Sequence, residues 1–177
     1  MKYIALLRGI NVGGNNLIKM ADLVLEFQKM GFKQVSTFIQ SGNVLFESKE
    51  KSTAKLAKII ETGLSKTFSY DARVVIRSHM QLKDNIENIP SDWKTRNDIR
   101  CYMAFIREPV TVQQVLDELQ LKEGIDFAQA GNGLVYLTTL QSGLTKSKLN
   151  KIISKKIFQS VTIRNLNTSQ KILDRFE

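Results

Sequence analysis

Chemistry has few places to start in this sequence. The single histidine, His79, stands in a polar stretch, and one histidine cannot build a multi-histidine metal site. The single cysteine, Cys101, lies inside an apolar run, where a thiol is expected to be structural rather than nucleophilic. One cysteine also excludes a disulfide framework and any multi-thiolate zinc site. Ser41 precedes Gly42, but Ile39 stands where a Gly-x-Ser-x-Gly nucleophile elbow needs its first glycine. Asp22 and Glu26 are one helical turn apart, which is ordinary for a solvated helix face and makes no acid–base pair. The residues call for no metal and no cofactor.

Two segments suit anions better. Gly9-Ile10-Asn11-Val12-Gly13-Gly14-Asn15-Asn16 has the Gly-x-x-x-x-Gly spacing of a phosphate loop. Asn15 and Asn16 replace the lysine and hydroxyl residue that a nucleoside triphosphatase would need there. The loop still joins a strand end to a helix start, so its N–H groups can cradle an anion, with Arg8 and Lys19 flanking it. The competing reading is a tight turn that needs positive φ. The second segment, residues 145–173, carries Lys146, Lys148, Lys151, Lys155, Lys156, Arg164 and Lys171 and no acid, in a chain of net charge +9. A one-signed patch attracts polyanions, although it can equally be a solvated surface. Lys148, Lys151 and Lys155 fall at i, i+3 and i+7 and predict one exposed helix face. With Arg164 and Asn165 they form a candidate polyanion-binding set.

The elements that must position these residues follow from periodicity. Lys2–Arg8 reads as a strand, and Met20, Leu23, Val24, Phe27 and Met30 form the buried stripe of a helix. Residues 34–39 and 43–46 read as a hairpin across Gln40-Ser41-Gly42. A second helix over 52–68 and a strand over 71–77 complete a βαββαβ order. Residues 78–98, with Pro90 and Trp93, break the pattern. The order then returns: a strand over 99–106, a helix from Thr111, a hairpin over 125–138, a helix around Leu149–Ile157 and a short strand over 161–164. A last helix is expected to open at Asn167, with Gln170 completing an Asn version of the capping box.

These readings predict an α+β protein of two ferredoxin-like (βαββαβ) halves, 1–97 and 98–177, with mainly antiparallel sheets and an extra C-terminal helix. Ala5-Leu6-Leu7-Arg8 parallels Ala104-Phe105-Ile106-Arg107, and Gln40-Ser41-Gly42-Asn43 parallels Gln129-Ala130-Gly131-Asn132, which suggests an internal duplication. In a βαββαβ sheet the first and third strands are antiparallel neighbours. Arg8, Asn11, Gly13, Gly14, Gln40, Ser41 and Asn43 should therefore converge at one end of the sheet as a candidate ligand site. Strand one is apolar on both faces, and strand three, Val44-Leu45-Phe46-Glu47, lacks the basic-Gly-aromatic pattern of RNA-recognition modules, so an open base-stacking platform is not expected. The 177 residues suffice for a core without staples. No apolar run reaches membrane-spanning length and no signal peptide opens the chain, so a cytoplasmic protein without membrane contact is expected.

The stretch Ala5-Leu6-Leu7-Arg8-Gly9-Ile10-Asn11-Val12-Gly13-Gly14, then Met20, Leu23 and Gln40-Ser41-Gly42-Asn43-Val44, closely resembles the bacterial domain-of-unknown-function family 1697. Thr162-x-Arg164-Asn165-x-Asn167-Thr168 is similar to that family's C-terminal signature, with Leu166 where the family pattern usually has tryptophan. The resemblance implies an α+β fold with ferredoxin-like halves and implies no activity.

Three functions stay open: binding of a phosphate-bearing ligand (a nucleotide, a phosphorylated metabolite or a nucleic acid), a metal-independent enzyme acting on a small metabolite, or a protein-interaction module. Whether the chain is an enzyme and its oligomeric state are left open.

Overall fold

The computed structural model describes residues 1–14 and 16–176. The chain forms two compact units, Met1–Leu82 with Ile172–Glu177, and Lys83–Lys171.

The first unit contains β1 (Lys2–Leu7), α1 (Met20–Lys29), β2 (Lys33–Phe38), β3 (Asn43–Glu47), α2 (Thr53–Phe68) and β4 (Val74–Ser78). Its sheet runs β2-β3-β1-β4, antiparallel throughout. Tyr3, Ala5 and Leu7 point from β1 to the helices and meet Leu23 and Phe27 of α1 and Leu56, Ile60 and Leu64 of α2 in one buried cluster. The apolar stripe read from the sequence is thus the core face. Ile4 and Leu6, on the other side of β1, are buried too, so this face offers no stacking platform. Ser52 caps α2, its Oγ accepting from Lys55 N.

The stretch 78–98, read from the sequence as a break, holds two helices, α3 (His79–Glu87) and α4 (Ser91–Thr95). The units divide at Leu82/Lys83 instead of 97/98, because the end of α3 belongs with the second unit. There the fully buried Asn85 donates from Nδ2 to Asn132 O, and its own carbonyl accepts from Tyr136 Oη.

In the second unit, β5 (Ile99–Ile106), α5 (Val112–Glu118), β6 (Asp126–Gly131), β7 (Leu134–Leu140) and β8 (Val161–Asn165) repeat the order as β6-β7-β5-β8. Thr111 and Gln114 close a capping box on α5. In place of the α-helix that periodicity predicts around Leu149–Ile157, residues 141–160 make three 3-10 segments, Gln141–Lys146, Leu149–Ser154 and Lys156–Ser160. The reason lies in β6. Asp126 is buried, and its carboxylate accepts from Ser147 Oγ at 2.6 Å, Lys148 N at 2.8 Å, Lys122 N at 3.0 Å and Thr139 Oγ1 at 2.9 Å. Side chains that capture backbone donors compete with a helix.

The last helix, α6 (Leu166–Asp174), begins directly after β8, as α3 begins directly after β4. The two starts match: Gln81 N donates to Ser78 Oγ, and Thr168 N donates to Asn165 Oδ1 at 2.8 Å. The cap of the last helix is therefore Asn165 rather than Asn167.

Strand register supports the duplication and corrects one parallel. Leu7 N donates to Gly42 O and Ile106 N to Gly133 O, and both glycines have φ above +70°. Gly42 therefore corresponds to Gly133, two residues beyond the match read from Gln-x-Gly-Asn. Ile4 faces Arg77 as Met103 faces Arg164, and each arginine donates from Nη1 to the carbonyl of the isoleucine before it.

Candidate functional site

The N-terminal loop and the 40–43 turn do lie together. Asn11 Nδ2 donates to Gln40 O and to Ile18 O, both at 3.0 Å, and Asn11 Oδ1 accepts from Ile18 N. Asn16 Nδ2 donates to Gly9 O. Asn43 is fully buried and donates to Phe38 O and to Ser41 Oγ. The amides of Asn11 and Asn43 thus brace the loop and the turn themselves, while Gly13 and Gly14 are exposed and Ser41 half-buried. Asn15 lies outside the described residues. Arg8 is half-buried at the end of β1, its backbone N–H donating to Arg73 O, and burial draws its guanidinium pKa down. Ile39, in the same turn, has φ +51°, a left-handed conformation that is strained for a β-branched residue.

The basic segment is dispersed by its 3-10 geometry. Lys148, Lys151 and Lys155 do not share a helix face. Lys151 is exposed, Lys148 is half-buried, and Lys155 pairs with Glu118 at 3.1 Å. Arg164 sits on β8, donates to Thr162 Oγ1 and Ile163 O, and is pushed down to about 10 by burial. It remains charged at neutral pH.

The structure builds a different site in the second unit. A cavity of about 520 Å³ opens beside the start of β5. Trp93 and Lys94 come from α4, Arg96 and Asn97 from the link to β5, and Arg100, Cys101 and Tyr102 from the strand itself. Gln141 and the residues Asn165, Leu166 and Asn167 at the start of α6 close it. β8 pairs with β5 only from Tyr102 onward, which leaves Ile99–Cys101 without a strand on that side and makes room for the cavity. Arg96 is held by a two-pronged ion pair with Asp98, at 2.8 and 2.6 Å, and Lys94 Nζ donates to Glu87 O. Among the described residues, the Arg100 side chain makes no hydrogen bond or ion pair, and no carboxylate lines the cavity. Burial pushes the Cys101 thiol up, against the pull of Arg96, so it stays protonated.

Of the residues singled out from the sequence as ligand or polyanion contacts, only Asn165 lines this cavity. The missed signal is local: the chain's one tryptophan followed by Lys94, Arg96, Arg100 and Tyr102, cations interleaved with aromatics in a stretch without periodicity.

The molecule is an α+β protein built on two ferredoxin-like, antiparallel four-stranded sheets, one of which carries a cationic cavity. The chain belongs to the family described as "Protein of unknown function (DUF1697)", whose model matches residues 1–136. That span includes Trp93–Tyr102 and stops short of the 162–168 signature. A solved structure, that of the conserved bacterial protein SP0830 from Streptococcus pneumoniae, is 28% identical. It aligns with a TM-score of 0.88 over 99% of this chain and 98% of that one. No curated protein matches the chain. Among the described residues, no helix is long and apolar enough to cross a membrane.

Proposed function

We propose that this protein binds a phosphate-bearing small molecule in the cavity beside β5. The observation that carries the reading is the charge of that lining: Lys94 and Arg100, beside an Arg96 already paired with Asp98, with no carboxylate among the described lining residues, around a volume of about 520 Å³. That volume is in the range of small-molecule sites. A guanidinium without a protein partner keeps its bidentate donors for a phosphate, and Arg100 is placed that way. Asn97, Gln141, Asn165 and Asn167 add amides around the charge. Binding is favoured over turnover because Cys101 is a protonated thiol and the lining has no histidine or carboxylate to act as a general base.

The test is thermal shift with inorganic pyrophosphate and ribose 5-phosphate. A bound ligand raises apparent stability by mass action. The expected result is a rise in Tm that saturates with ligand and that Arg100→Gln removes without lowering the Tm of the free protein. A flat response of the wild type to both compounds would return the cavity to ordinary solvated surface.

A further inference from the structure

The cavity holds more than charge, and its aromatic lining narrows the ligand further. Resting on the phosphate reading above, we infer that the ligand is a nucleoside phosphate whose base lies against Trp93.

Trp93 is half-buried on α4, and its carbonyl oxygen is 4.0 Å from Cys101 Sγ, so its helix is set against β5. Trp93 lines a cavity of cations and amides, and an indole there is apolar surface for which a simple phosphate or sugar phosphate has no matching group. A base does: every base has a π-face, and stacking is tolerant of its identity.

Tyr102 points the same way when the two units are compared. Tyr3 occupies the equivalent position in the first unit, each tyrosine pairing with the cap residue that ends the last strand, Ser78 or Asn165. Tyr3 is fully buried, stacks on Phe46 at 5.6 Å and donates from Oη to Glu50 O at 2.9 Å. Tyr102 is half-buried, lines the cavity, and its hydroxyl makes no hydrogen bond among the described residues. One register thus buries the tyrosine of the first unit fully, and leaves that of the second, packed in part against the core of Ala104 and Ile106, half-exposed where it lines the cavity.

The amides fit the remaining groups. Asn and Gln offer both donors and acceptors, as the edge of a base and the hydroxyls of a ribose require. Gln141 uses Nε2 on Asn97 O, and Asn165 uses Oδ1 on Thr168 N, so each keeps its other polar atom for a ligand.

The experiment uses the fact that Trp93 is the chain's one tryptophan, so its emission reports on this cavity alone. The full chain is titrated with AMP, GMP, CMP and UMP, with ribose 5-phosphate and pyrophosphate as probes lacking a base. The expected result is quenching of Trp93 by at least one mononucleotide and binding about tenfold tighter than ribose 5-phosphate, the gain that one stacked base supplies. By calorimetry, Trp93→Phe should keep that gain and Trp93→Leu should lose it. If Trp93→Leu fails to fold, the wild-type ratio of mononucleotide to ribose 5-phosphate still decides. Mononucleotides that bind no tighter than ribose 5-phosphate overturn the inference and leave the phosphate reading standing. Failure of every compound overturns both. A 5′-phosphorylated tetranucleotide that competes as well as the mononucleotide would assign the same chemistry to a nucleic-acid end, and its failure to compete would assign it to a free nucleotide; both outcomes support a base bound with its phosphate.

Discussion

Asp126 carries a carboxylate into a place where burial alone would raise its pKa. The hydrogen bonds from Ser147 Oγ, Lys148 N, Lys122 N and Thr139 Oγ1 outweigh that burial and hold it below the ordinary value. A depressed folded-state pKa means that the ionised form stabilises the fold. The contribution is complete above the unfolded value of about 3.9 and is lost as pH falls from there through the folded pKa. Asp126→Asn turns one of the two acceptor oxygens into a donor facing other donors. It should cost about 1.5–3 kcal/mol at neutral pH, the range for hydrogen bonds to a charged group. Urea unfolding at pH 7 and pH 3 checks this: the gap between wild type and variant should shrink at the lower pH, and a constant gap would remove the carboxylate's charge from the account. Asn11 is the comparable neutral case. Asn11→Ala removes three hydrogen bonds, two with Ile18 that hold the 9–18 segment to itself and one that ties it to Gln40 O. A melting temperature lower by several degrees is expected if the residue holds the loop, and an unchanged one would free Asn11 for a ligand.

Among the elements, the turn between β2 and β3 is the least forgiving. Gly42 has φ +76°, and a Cβ placed there would lie 2.8 Å from Leu7 Cβ, an atom fixed to the backbone of β1. Gly42→Ala should cost about 2–4 kcal/mol from left-handed strain and overpacking together. Gly124, with φ +71° and open space where a Cβ would sit, isolates the strain alone, and Gly124→Ala should cost about 1–2 kcal/mol. Equal losses at the two sites, measured by denaturant unfolding, would show that close packing against Leu7 contributes nothing. The start of α6 joins stability to the site. Asn165→Ala removes the bond to Thr168 N and should cost about 1 kcal/mol as a lost cap. Because Asn165 also lines the cavity, the same variant should weaken pyrophosphate binding, and a lost cap with unchanged binding would take Asn165 out of the site.

Across the whole molecule, the end of the chain is part of the first unit. Ile172, Leu173 and Phe176 are buried, Arg175 lies over the Phe38 ring at 4.7 Å, and Phe176 lies 5.1 Å from His79. Ending the chain at Lys171 should lower stability by several kcal/mol, since burying each large apolar side chain is worth about 1.5–3 kcal/mol. A truncated chain that melts with the wild type would make this segment a surface tail. Local residue patterns were enough to specify the strands, the first two helices and the two four-stranded orders. Those follow from apolar residues at periods of two and 3.6 and from glycine at turns, all signals within a few residues of the element they specify. Contacts between distant segments settled the rest. The helix expected near Leu149–Ile157 became 3-10 segments because Asp126, about twenty residues earlier, takes the N–H of Lys148 and the hydroxyl of Ser147. The loop asparagines were legible as a cluster, but not that their amides would brace Gln40, Ile18 and Phe38. The cavity was legible only in part: Trp93–Tyr102 interleaves cations with aromatics in one local stretch, but only folding brings Gln141 and the start of α6 around the same volume.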